Sequence, residues 1–111
     1  MKNIENIIFK TLKGVEVSLD ETSEKKFRLK AFLEANIGSH RATSAQAVKI
    51  WHLGTKIADV EDDIPVLALE DAEFELVKSI CNKKEGEELY TAIVYAQAHQ
   101  AFEDAVNEKK E

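Results

Sequence analysis

The apolar positions of the chain change their spacing near residue 20. In IIFKTL, residues 7–12, Ile8, Lys10 and Leu12 alternate with Phe9, Thr11 and Lys13. Past Gly14, the residues Val15, Val17 and Leu19 alternate with Glu16, Ser18 and Asp20. The second run has period two and one apolar face, the pattern of a half-buried strand. Gly14 supplies the positive φ that a tight turn requires. A β-hairpin over about 7–19 is predicted. Because a lone hairpin is marginal in water, its apolar face has to rest on helices.

From residue 22 onward the spacing is helical. Thr22 or Ser23 can cap a first helix, Phe27, Ala31, the Phe32–Leu33 pair and Ile37 form its stripe, and Gly38 can end it in a left-handed conformation. Thr43 or Ser44 can cap a second helix in which Ala47, Ile50, Trp51, Gly54 and Ile57–Ala58 share a face. Gly54 costs about 1 kcal/mol against Ala inside a helix, and its lack of a side chain lets another element approach closely. Asp59–Asp63 reads as an acidic, solvated loop. Val66–Leu69 reads as a short strand, with Pro65 placing it at a sheet edge. A third helix carries Phe74, Val77, Lys78 and Cys81, with Asp71 favouring its N-terminus through the helix dipole. A fourth is predicted from about Glu87 to Asn107. The expected fold is α+β and mainly helical: one small domain over 1–111, with the hairpin packed on about four helices that span roughly 22–107.

Composition narrows the function classes. Hydrophobic residues make up 44% of the 111 positions and charged residues 32%, a normal globular balance. A net charge of −6 repels a phosphate backbone, so nucleic acid is an unfavoured partner. One cysteine, Cys81, allows no internal disulfide. The N-terminal MKNIENIIFKTLKG lacks the apolar run of a signal peptide, and no stretch reaches the ~18 apolar residues of a membrane span. The expected location is cytoplasmic, with no membrane partner.

Candidate chemistry is sparse. His40, His52 and His99 are scattered, with none of the close pair spacings of a metal site, so no metal or cofactor is predicted. A site assembled in space from His52, His99 and a carboxylate is the weaker alternative to ordinary helix-surface histidines. Cys81 at an apolar helix position reads as a small core residue rather than a nucleophile. The carboxylates of 59–63 and of Glu70, Asp71 and Glu73 are too densely placed for the asymmetric environments that acid–base pairs need, and DVEDDI lacks the glycine of a calcium loop. No G-x-x-x-x-G-K or G-x-G-x-x-G occurs. Arg28 and Arg41 are the only arginines, so bidentate phosphate recognition would have to use them. The chain is read as non-enzymatic.

Aromatic side chains give the candidate contact surface. Trp51 and Tyr95 combine an apolar ring with a polar tip, a type enriched at interface hot spots, although core packing is the favoured role for Trp51 in a chain this small. AIVYAQAHQAFEDA, residues 92–105, presents alanines at 92, 96, 98, 101 and 105, with Tyr95, His99 and Phe102 along one side. That is a packing face, either internal or against a partner subunit, and the ordinary histidine pKa near 6.5 could make a contact at His99 pH-sensitive. The candidate interface residues are therefore Trp51, Tyr95, His99 and Phe102.

KIWHLGTKI, an acidic loop, VLALEDAEFELVKSI and LYTAIVYAQAHQAFEDA follow in order through the second half of the chain. This layout resembles a loose group of small proteins encoded by tailed phages and prophages, which also look like an N-terminal hairpin followed by helices. Leu89, Tyr90, Ile93, Val94, Ala96 and Gln97 match the L-Y-x-x-I-V-x-A-Q-like final helix of that group. The resemblance implies a phage-type accessory protein in the cytoplasm of a bacterial host, acting by binding. The expected function is inhibitor or adaptor of a host or phage protein, with self-association into a homo-oligomer. The alternatives are a virion assembly factor, for tail or head completion or as a chaperone, and a sponge that sequesters a small nucleotide signal at an oligomer interface.

Overall fold

The computed structural model describes residues 2–18, 25–41, 43–83, 86 and 88–107. Along the chain run β1 (Lys2–Glu5), α1 (Leu29–Ser39), α2 (Ser44–Ala58), β2 (Val66–Leu69), α3 (Asp71–Cys81), α4 (Ala92–Glu103) and β3 (Val106–Asn107). The fold is α+β and mainly helical, with a hairpin near the N-terminus on four helices, as the spacing predicts.

The hairpin is tied by single bridges rather than a long ladder. Lys10 pairs with Glu16 across a turn in which Gly14 has φ +82°. The returning segment 25–28 adds a third layer through Ser18–Lys26 and Ile8–Arg28 bridges. Phe9 N–H donates to Phe27 O, Phe27 N–H to Val17 O, and Val17 N–H to Phe9 O, all within 2.8–2.9 Å. These three bonds close a ring, which explains why the first helix begins late. Phe27 is committed to extended hydrogen bonding on both sides, so the helix expected from residue 22 starts only at Leu29. The Thr22 and Ser23 caps lie outside the described residues.

Asn6 replaces the missing local cap. Its Oδ1 accepts the Lys30 N–H at 2.9 Å, inside the first turn of α1, while its Nδ2 donates to the carbonyls of Asp62 and Ile64. Its backbone N–H donates to Pro65 O, and its carbonyl accepts from the Arg28 guanidinium at 3.2 Å. A buried polar side chain is costly unless it is hydrogen-bonded. Here the bonds fix the hairpin, α1 and the loop before β2 to one another.

β1 is the central strand, antiparallel to β2 (Ile4 opposite Leu67) and to β3 (Asn3 opposite Val106). The β2 edge position expected from Pro65 is observed. β2 alternates, with Leu67 and Leu69 buried and Val66 and Ala68 exposed, as a strand with one covered face must. The core joins Ile4, Leu67 and Leu69 to Phe9, Phe32 and Leu33, to Leu53 and Ile57 of α2, to Val77 and Ile80 of α3, and to Ala98 and Phe102 of α4.

Two helix ends differ from expectation. Gly38 lies within α1 and is not left-handed; the helix ends at Ser39, and His40 turns the chain into extended backbone at φ −69°. The last helix begins at Ala92, with Thr91 at its N-cap, rather than near residue 87, and it ends at Glu103 because β1 has a free edge. Val106 and Asn107 satisfy their backbone by pairing with Asn3 and Lys2 instead of continuing the helix.

Candidate functional site

The open surface between α1 and α2 is set by one glycine. A Cβ on Gly54 would stand 3.2 Å from Ile37 Cγ2, so the two helices meet as closely as Gly54 allows. α2 buries Ile50, Leu53 and Ile57 toward the core. At about 100° per residue, Trp51 falls to one side of that stripe. Trp51 is therefore not a core residue: it is 65% exposed, beside Val48 at 60%. Trp51, Ile50, Gly54, Ala47 and Ala58 from α2, with Ile37 and Gly38 from α1, line an apolar groove of about 490 Å³. Glu34 stands at the end of the groove near Ala58, where exposed Asp59 and the acidic run to Asp63 begin. His52, next to Trp51, has its ring 5.1 Å from the indole.

A buried lysine anchors the acidic end. Lys30 is 4% exposed and its Nζ donates to Glu34 and to Asp62, the latter at 2.8 Å. Burial alone would lower the ammonium pKa, but its hydrogen bonds to Asp62 and Glu34 and the charge of both carboxylates outweigh it, and the net shift is upward. The Lys30 hydrogen bond and charge hold the Asp62 carboxyl below its ordinary range, with Lys25 adding to the effect.

A second apolar surface lies at the hairpin tip. Leu12 is 84% exposed and Val15 62%. Leu12 and Val15 stand clear of the core, and among the described hairpin residues Phe9, with the half-buried Ile7 and Val17, packs against it. Gln97 on α4 clamps the base of the tip: its Oε1 accepts the Lys10 N–H at 3.0 Å, and its Nε2 donates to Lys10 O at 2.8 Å. A crevice between tip and α4 is lined by Leu12, Val17, Ile93 and Val94, with Lys10 and Lys13 at its rim.

The remaining candidates are separated. Tyr95 and Phe102 are buried with Ala98 and Ala101, so neither ring is open to a partner, while Ala92 and Ala96 are exposed. Tyr95 packs edge-on against Phe32, and Phe102 against Phe74. His99 is half-buried, 5.8 Å from the Phe102 ring. Among the described residues no cluster of three or more His, Cys, Asp or Glu could hold a metal ion, and the structure does not assemble a site from His52 and His99. Burial pushes the Cys81 thiol up to about 12, which leaves almost no thiolate at neutral pH.

The two arginines do not converge either. Arg28 precedes α1 and Arg41 follows it, and 11 helical residues separate their ends by about 16 Å. Arg41 instead shares a pocket with Lys83, His40, Ser79 and Asn82. The C-termini of α1 and α3 also end there, and their carbonyl ends offset part of the positive charge. Sequence reasoning missed this pairing of Arg41 with Lys83, because the two residues meet only through the packing of α1 on α3.

No protein-family model, curated protein or solved structure matches this chain. No helix among the described residues is long and apolar enough to cross a membrane.

Proposed function

We propose that this chain is a non-enzymatic accessory protein of the phage type its second half resembles, working in the host cytoplasm as an inhibitor or adaptor. The α1–α2 groove is its docking site for a host or phage protein. The carrying observation is the exposure of Trp51 beside Val48 at the lip of an apolar groove. An indole in water next to an apolar concavity is the composition of an interface hot spot. The acidic end of the groove favours a partner segment with apolar anchors and a basic flank.

The test places a photo-crosslinking amino acid at position 51, and at exposed Glu103 on α4 as a control, in cells producing the protein. A defined adduct at position 51, absent at 103 and lost with Val48→Glu, is expected. The same adducts at both positions would sink the reading.

A second reading, a role in virion assembly, draws on the other apolar surface at Leu12 and Val15. Two separate sticky faces on one small protein suit a subunit that joins neighbours on both sides.

A further inference from the structure

We infer that the occupant of the α1–α2 groove, in the absence of a foreign partner, is the hairpin tip of a second copy of this chain, giving head-to-tail association. The inference rests on the groove being a docking site.

Among the described residues, the two most exposed apolar surfaces are complementary in shape and charge. The tip is convex and presents Leu12 and Val15, 84% and 62% exposed. The groove is concave and presents Trp51 at 65%. The tip carries Lys10 and Lys13, and the acid opposite Lys10, Glu16, stands 3.9 Å from the Lys26 ammonium. Glu34 and Ala58 line the groove, and Asp59–Asp63 follow Ala58; Lys30 holds Glu34 and Asp62, so the acidic surplus lies with Asp59, Glu61 and Asp63. In a chain of net charge −6, most pairs of surfaces repel. A basic apolar knob facing an acid-ended apolar groove is the contact that avoids this.

The Gln97 clamp on Lys10 holds the tip in place before contact, which reduces the ordering cost of association.

Knob and groove are different surfaces, so the contact is heterologous. A joined pair keeps one free knob on one copy and one free groove on the other, and growth continues until a ring closes. The contact is smaller than a standard interface of ~1,600 Å², so it appears as concentration rises and weakens with salt.

Sedimentation velocity from about 1 µM to 1 mM tests this with two variants, Leu12→Glu and Trp51→Glu. Both positions are exposed, and circular dichroism checks that each variant is folded. The wild type is expected to form species larger than dimers. Each variant alone is expected to stay monomeric. Leu12→Glu keeps its groove and Trp51→Glu keeps its knob, so an equal mixture should form a heterodimer and nothing larger, at least ~10-fold more tightly than either variant with itself. Raising salt, or Lys13→Glu, should weaken the wild-type association.

A wild type that is monomeric at about 1 mM overturns the inference. So does a mixture no more associated than its components, which would mean a symmetric contact. Leu12→Glu also separates this inference from the docking reading. If the mixture fails while Leu12→Glu still crosslinks a foreign protein at position 51, head-to-tail association falls and the docking reading stands. If both fail, the groove is not a docking site.

Discussion

The Tyr95 hydroxyl donates to Asn36 Oδ1 across 2.9 Å in the core, and the same oxygen accepts the Leu89 N–H at 3.0 Å. Asn36 Nδ2 in turn donates to Phe32 O, so one relay of bonds crosses from α4 to α1 and pins the segment that enters α4. Both side chains are buried and hydrogen-bonded at each of their polar atoms, which makes the relay costly to break from either end.

Tyr95→Phe removes one oxygen and leaves the Asn36 carbonyl without its partner. The expected loss is about 1–3 kcal/mol in urea denaturation, with the ring packing retained. Asn36→Leu should cost a similar amount alone. The double variant should lose less than the two single losses added together, since each strands the same bond. Strict additivity would show that the relay is not a unit.

Gly54→Ala sets a helix-propensity gain of about 1 kcal/mol against a Cβ 3.2 Å from Ile37 Cγ2. Stability is expected to stay within about 1 kcal/mol of wild type. Gly54→Val should destabilise by about 1–3 kcal/mol, since a branched side chain forces α1 and α2 apart. Thermal melts of these variants with and without Ile37→Ala would show whether that contact is the cause: the Ile37→Ala change should cost less in the presence of Gly54→Val than in wild type.

The Lys30–Asp62 pair gives stability a dependence on pH at both extremes. The Asp62 carboxyl is depressed, so its contribution is present above the ordinary value of about 4 and is lost as pH falls through the folded value. The Lys30 ammonium is raised, so its contribution is full below about 10.4 and is lost as pH rises through the folded value. Melting temperature against pH should therefore drop on both sides, and Asp62→Asn should flatten both arms, the acid one most. An unchanged acid arm in Asp62→Asn would assign the acid loss elsewhere.

Cys81 should be silent in the native protein. With the thiol buried and pushed up to about 12, iodoacetamide at about pH 8 should label it at least ~100-fold more slowly than in urea. Comparable labelling rates, read by mass spectrometry, would show that α3 opens readily.

Much of the architecture was legible from spacing. The face Ala47, Ile50, Trp51, Gly54 and Ile57–Ala58 located α2, although the buried set is Ile50, Leu53 and Ile57; the Phe74–Val77–Cys81 stripe located α3, and the run Val66–Leu69 after Pro65 located β2. Gly14 and Gly54 do what their lack of a side chain permits. Other features depended on distant partners. Phe27 fits a helical stripe, but its N–H and C=O are taken by Val17 and Phe9. Lys2–Glu5 is too short and polar to read as a strand until β2 and β3 flank it. The site was half legible: Trp51 carried the right residue type, yet its exposure follows from a shift of about 100° around α2 from Ile50, and the hairpin alternation did not show that the tip would project past the core. Tyr95 and Phe102 have the composition of an interface and the surroundings of a core, and only the packing of α4 distinguishes the two.

The placement of β1 at the centre of the sheet also orders events in time. Its partners come from the middle and the far end of the described chain, so β1 leaves the ribosome before either of the strands that flank it. Ile4 stays uncovered by Leu67 while more than half the chain is synthesised, and the Asn6 bonds to the Asp62 and Ile64 carbonyls also wait for that segment. Translation therefore releases a chain whose helices can form early from local contacts, while the sheet that joins its two halves closes only once β3 has emerged.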